Sequence, residues 1–532
     1  MKKYVTKKPR VPAVIALAMT FAGIAQAEVK LPSLFNDSMV IQRETQAPVW
    51  GWADAGEKVS VEASWGAKAQ SVADAKGKWM VKLATPKAGG PHTIQVIGSN
   101  TIELNDVLSG DVWICSGQSN MEWNVHNSIN GKAEIEAANF PMIRHYDVPH
   151  LNHLNPRKDH PGTWAVCSPK NVRSFTAVGY FFAREIHRDQ NVPVGILSLN
   201  WGGTRIEPWI PPAGFHAVPE LEEIAKQVDV MNPQSAAGKA AYSAYLKKLK
   251  VWVKDSELAL NNGEVPADHP QRPSYEGNQA HQAPTVIYNS MIHPVVPSAI
   301  KGAIWYQGEA NGSEGLSYQH KMQGLVKGWR SVFQQGDFPF YFVQLANFQK
   351  SDPKRAEGGD GWARVRQAQL QSLQIKNTGM ACAIDVGEAK DIHPRNKQDV
   401  GRRLARWALV NDYGKKNLVA SGPLYKSMKT QGAEAVIEFD HVGSGLMVAE
   451  KSGLAPAKET QGAPLKWFSI QAEAGQWYKA DAKIQGDTVV VSNPQVKNPV
   501  AVRYGYTMNP EGANLYNKDG LPASPFTTDT LK

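Results

Sequence analysis

Asp111-Val112-Trp113-Ile114-Cys115-Ser116-Gly117-Gln118-Ser119-Asn120-Met121 is an apolar run followed at once by turn chemistry. Asp111–Cys115 carries β-branched and aromatic residues and predicts a buried strand. Ser116-Gly117-Gln118-Ser119 predicts the turn that ends it. A serine in a glycine-bearing turn just past a core strand is exposed at the sheet edge, so Ser119 is a candidate nucleophile. The turn is not Gly-x-Ser-x-Gly, so the nucleophile elbow of α/β-hydrolases is not matched. Taken alone, Ser-Gly-x-Ser-Asn is also ordinary turn composition.

The same rhythm continues beyond it. Val192–Leu199, Ala303–Tyr306, Phe338–Leu345 and Met380–Ile384 are further strand candidates. Amphipathic helices lie between them. Phe175, Val178, Phe182 and Ile186 form one apolar stripe, and Tyr318, Met322, Leu325, Val326 and Trp329 form another. Alternating β and α predicts a parallel sheet with helices on both faces. Such sheets bind ligands at the carboxyl ends of their strands.

Residues 28–108 read as a small β-sandwich-like module, with alternating runs such as Val59–Ala63 and a Lys76-Gly77-Lys78 turn before Trp79-Met80-Val81. Residues 415–532 have the same texture, with Val436–Phe439 and Thr488–Val491 as strands. The α/β core is expected over 109–414, interrupted by a partly helical, Ala/Lys-rich insertion at about 214–285. Residues 1–27 read as a signal peptide. Lys2, Lys3, Lys7, Lys8 and Arg10 precede a short apolar stretch and the Ala25-Gln26-Ala27 cleavage signal. The stretch is too short for a membrane span, so the expected product starts at Glu28, exported to the periplasm or beyond.

Without that leader the net charge of +9 falls to about +4. No Lys/Arg block remains, so nucleic acid is not an expected partner. Cys115, Cys167 and Cys382 match neither a zinc site nor a disulfide framework, and they read as buried thiols. His145, His150, His153 and His160 cluster with Asp147 and Asp159, but in no recognised ligand spacing. That segment reads as a polar cleft-edge loop, and no metal is expected.

Three more polar turns follow the predicted strands. Trp201-Gly202-Gly203-Thr204 offers backbone N–H groups to a developing oxyanion. Trp305-Tyr306-Gln307-Gly308-Glu309-Ala310-Asn311 offers an amide. Asp391-Ile392-His393-Pro394 offers a base with a carboxylate two residues away, and Pro394 suits the first turn of a helix. Asp385, at a strand end, is the reserve acid.

These blocks resemble the signature of the sialate O-acetylesterase-like branch of SGNH (GDSL-type) hydrolases, which includes carbohydrate acetylesterases. Phe175–Phe182, Ile287–Pro294 and Leu521–Phe526 are similar to it as well, so the likeness spans roughly residues 30–525. The resemblance implies an α/β fold, the three-layer αβα parallel sheet of SGNH hydrolases, with accessory β-sandwich modules. It implies Ser119 as nucleophile, His393 as base and Asp391 as orienting acid. The N–H groups of Ser119 and of Gly202 or Gly203, with the Gln307 side chain, would form the oxyanion hole. Asp-x-His is one residue tighter here than the Asp-x-x-His of many relatives, and Gln307 stands where Asn is usual.

The expected activity is removal of acetyl groups from sugar hydroxyls by serine acyl transfer, with no metal or organic cofactor. Trp123, Arg205, Glu207, Trp209, Glu309 and Asn311 adjoin the turns and are the candidate sugar contacts. Trp201 and Trp305 are expected to crowd the acyl pocket. Arg205 is the obvious basic residue of these loops, with Glu207 near enough to pair with it. That leaves no clear clamp for a sugar carboxylate, so acetylated xyloglucan or xylan is favoured over sialic acid. A non-catalytic glycan-binding protein is the alternative from another class.

Overall fold

The computed structural model describes residues 28–274 and 280–529. The leader expected over 1–27 lies outside these residues. Among them, no helix is long and apolar enough to cross a membrane.

Thr378–Cys382, Phe340–Gln344, Gly302–Tyr306, Thr101–Gly117, Val194–Asn200 and Ile143–Asp147 lie side by side in that order, all parallel in the central sheet. Thr163–Val166 adds an antiparallel edge. The strands are buried on both faces, which is why they read as unbroken apolar runs. Helices Ala177–Gln190 and Lys397–Asn411 cover one face around Trp113, Phe182, Tyr341 and Leu404. Helices Tyr318–Phe333 and Gly361–Gln371 cover the other around Trp209, Trp305, Trp329 and Val365. The fold is thus α/β with three layers and additional β modules.

Register gathers the polar turns. Gly117 is level with Asn200 on one side and Tyr306 on the other. The chains leaving these three strands therefore start at the same height.

The 17-residue strand Thr101–Gly117 runs without a break through the expected boundary at residue 108. Its first half pairs in the N-terminal β module and its second half carries the nucleophile turn. Arg43 on Asp111 (2.9 Å) and Arg144 on Asp106 (2.7 Å) tie the module to the sheet. The C-terminal strands, Leu424–Gln431 to Phe526–Thr527, dock through buried Arg366. Its guanidinium donates to the carbonyls of Leu345, Ala346, Thr507 and Met508. Within 214–285 the main feature is helix Ala236–Asn261. Pro394 is not in a helix: the next one starts at Lys397, capped by the Asn396 side chain accepting from Asp399 N–H.

The expected cleft-edge loop of histidines divides in two. His145 belongs to strand Ile143–Asp147, is buried, and stacks on Phe175 at 4.3 Å. It accepts from Thr176 N–H, and the Thr176 hydroxyl in turn donates to Met121 O at 2.5 Å, bracing the nucleophile turn. His160 is buried against Tyr146. His150 and His153 remain exposed.

Burial pushes His145 down to about 3. The folded protein keeps this ring neutral at pH values where the unfolded chain, near 6.5, takes up a proton. Stability is therefore lost as pH falls from about 6.5 toward 3, by up to about 1.4 kcal/mol per pH unit. In urea unfolding between pH 6.5 and 4.5, His145→Phe should lose less stability than wild type. Parallel curves for the two proteins would refute this assignment.

Candidate active site

Gly117 makes the nucleophile turn possible. Its φ is +140°, and a Cβ there would lie 2.1 Å from Tyr306 O. The chain then enters the short helix Ser119–Glu122. Ser119 Oγ lies 2.9 Å from His393 Nε2 across a sequence separation of 274 residues. Asp391 Oδ1 lies 3.3 Å from His393 Nδ1 and also accepts from the His393 N–H at 2.9 Å. The reserve acid Asp385 is engaged elsewhere. Arg403 holds both its oxygens, at 2.6 and 2.7 Å, and Tyr516 donates to it.

Of the two glycines, Gly202 faces the nucleophile. A Cβ at 202 would lie 3.2 Å from Ser119 Cβ, whereas one at 203 would meet nothing. Gly203 serves the turn instead, with φ +74°. Its carbonyl accepts from Gln282, whose Oε1 takes the Arg205 N–H, so the end of the insertion stitches this turn in place. The Ser119 N–H has no protein acceptor among the described residues.

Gln307 departs from its expected role. Its amide is fully buried and donates to Gln118 Oε1, Thr204 O and Asn311 Oδ1. Its Oε1 accepts from Tyr318. The side chain joins three turns from below rather than facing Ser119. Sequence motifs identify the residue but not which way its amide points.

Most expected sugar contacts also prove internal. Trp209 and Trp305 are buried and packed edge to face at 5.9 Å, so Trp305 does not crowd the acyl pocket. Asn311 is buried and Glu309 half-buried, and Glu309 accepts from Asn120 at 2.5 Å. Trp123 stacks on the His393 ring at 5.1 Å and 15°, so one face of it holds the histidine. Glu207 is buried; burial opposes its charge, yet Lys321 and Arg205 hold its carboxyl below the usual range. Arg205 is part-exposed and pairs with both Glu207 and Glu314. The His393 loop carries a second arginine, Arg395, paired with Glu388 at 3.2 Å.

Several contacts around the nucleophile were missed because only tertiary structure supplies their partners. Asn120 donates to Ile392 O at 3.0 Å and accepts from Lys397 Nζ, so it ties the serine turn to the histidine loop. Burial pushes the Lys397 ammonium down to about 7 and the Glu309 carboxyl up. Glu122 accepts from Gly202 N–H at 2.6 Å and meets His150 Nε2 at 2.8 Å. His150 and His281 both stack on Trp201, at 4.6 and 5.0 Å.

A parallel αβα sheet with a serine–histidine pair above its strand ends, reached without a Gly-x-Ser-x-Gly elbow, fits the SGNH class of hydrolases. A family model described as carbohydrate esterase, sialic acid-specific acetylesterase, matches residues 276–410. The solved carbohydrate acetylesterase of Xanthomonas citri superposes with a TM-score of 0.77 at 35% identity, covering 95% of this chain and 100% of that one. The sialate O-acetylesterases of Mus musculus and Homo sapiens are each 27% identical, over 96% and 93% of this chain and 96% and 92% of theirs. The chain belongs to the sialate O-acetylesterase-like family of carbohydrate esterases, and it is an acetylesterase.

Proposed function

We propose that this acetylesterase works by two-step acyl transfer from Ser119 and acts on neutral acetylated sugars of the hemicellulose type. The 2.9 Å approach of His393 Nε2 to Ser119 Oγ carries the reading. His393 takes the hydroxyl proton as Ser119 attacks the acetyl carbonyl. The N–H groups of Ser119 and Gly202 take the oxyanion, as donors fixed at a helix start and a tight turn. His393 then protonates the departing sugar oxygen, and water releases acetate from the acyl-enzyme. Asp391 keeps the imidazole proton on Nδ1.

The choice of a neutral sugar rests on charge. A sialic acid carboxylate favours a free bidentate arginine. Arg205 and Arg395 both pair with acidic neighbours, so neither stands open as a clamp. The curated relatives, named sialate O-acetylesterases, favour the second reading, a 9-O-acetyl sialate substrate. Export, proposed from residues 1–27, would bring the enzyme to polymeric substrates.

Acetate-release kinetics on acetylated xyloglucan oligosaccharides and on 9-O-acetyl sialic acid separate the two. The expected result is a higher kcat/KM on the neutral oligosaccharide. A higher kcat/KM on the sialic acid, abolished by Arg205→Ala or Arg395→Ala, would assign the second substrate. Covalent capture of Ser119 by a fluorophosphonate is expected in either case. Its absence in an intact protein would remove the serine mechanism.

A further inference from the structure

Ser119 and Glu122 stand at i and i+3 of one helical turn, so their side chains lie on the same face. The Glu122 carboxylate thereby reaches the Gly202 N–H at 2.6 Å. A Cβ at position 202 would lie 3.0 Å from Glu122 Oε2 and 3.2 Å from Ser119 Cβ, so all three groups meet at one point. That point is where an oxyanion bonded to Ser119 needs a donor at about 2.7–3.1 Å. A carboxylate oxygen therefore already occupies the N–H that the reading above assigns to the transition-state oxygen.

We propose that Glu122 is a charged gate on the oxyanion site, which a neutral ester displaces and the acetate product does not. The proposal rests on the Ser119–Gly202 reading given above. Glu122 is partly exposed, and its other oxygen faces His150 at 2.8 Å, so it has a partner to keep when Gly202 is released. His150 is itself held against Trp201, the residue preceding Gly202. The gate's second partner is thus anchored on the turn that carries the donor.

The discrimination follows from charge. An acetyl ester brings a neutral carbonyl oxygen, which takes the Gly202 N–H and becomes negative only as Ser119 adds. Free acetate arrives already charged, beside a carboxylate a few ångströms away. Product acetate is refused, while the ester that yields it is admitted.

Two variants separate charge from occupancy. Glu122→Gln removes the charge but keeps an oxygen able to accept from Gly202. Glu122→Ala removes both. Acetate inhibition of 4-nitrophenyl acetate hydrolysis should tighten at least tenfold in both. KM for the ester should fall in Glu122→Ala alone, and that variant should also react faster with a fluorophosphonate.

Acetate Ki values within twofold of wild type in both variants would overturn the gate. So would a tenfold loss of kcat/KM in Glu122→Gln with acetate Ki unchanged, since that is the behaviour of a strut for the Gly202 turn. Failure of the underlying reading looks different: wild-type Ser119 would not label, and acetate would not compete with the ester at all.

Discussion

Ser119→Ala is expected to lower kcat on 4-nitrophenyl acetate by about 10⁴–10⁶-fold, the scale of losing a triad nucleophile. Its hydroxyl makes one side-chain contact, to His393 Nε2 at 2.9 Å, and sits at the open end of the sheet. Little is lost from packing when it goes. The turn is held by other groups: Gln118 N–H on Tyr306 O, Gln118 Oε1 under Ala310 N–H, and Asn120 on Ile392 O. The melting temperature should therefore stay close to that of wild type. KM should also change little, because the sugar contacts and the oxyanion donors remain. A folded Ser119→Ala protein with a tenth of wild-type activity would move the nucleophile to another residue.

Most strands of the central sheet were legible because parallel strands buried on both faces read as continuous apolar runs. Ile143–Asp147 escaped that reading. Arg144, His145, Tyr146 and Asp147 look like a polar loop, and their polarity is satisfied by Asp106, Thr176 and neighbouring groups. Helix Gly361–Gln371 escaped for the same reason. Arg366, Gln367 and Gln369 are buried there as hydrogen-bonding residues between layers, so no apolar stripe marks it.

At the site, sequence position was enough to gather four turns, since each follows a strand end and the register brings three of them level. It was not enough to aim side chains. Gln307, Glu309 and Asn311 are polar residues in a motif loop, and all three turn inward to bond other turns. Trp123 and Trp209 carry apolar area that the core and the histidine use first. Glu122 follows directly on the quoted stretch, yet its contact with a glycine 80 residues away has no local signature.

The acid of the triad is decided by a pair of asparagine substitutions. Asp391→Asn is expected to lower kcat by up to ~10⁴-fold, through the tautomer of His393. Aspartate can only accept, so it keeps the ring proton on Nδ1 and leaves Nε2 as a base toward Ser119. An asparagine at 391 can present its NH₂ to Nδ1 and so stabilise the opposite tautomer, with Nε2 protonated and unable to act. Asp391→Ala imposes neither tautomer, and water reaches this half-exposed position, so its loss should be the smaller of the two. That ranking, asparagine worse than alanine, is the mark of an orienting role and is not produced by loss of a structural contact. Asp385→Asn should behave in another way. Its partner is Arg403, buried and held bidentately at 2.6 and 2.7 Å, and the carboxylate raises the pKa of that guanidinium further. Breaking such a buried pair costs about 3–5 kcal/mol, so Asp385→Asn should lower the melting temperature. Its folded fraction should still label normally with a fluorophosphonate. A stable Asp385→Asn protein with a ~10⁴-fold lower kcat, beside an active Asp391→Asn protein, would transfer the orienting role to Asp385.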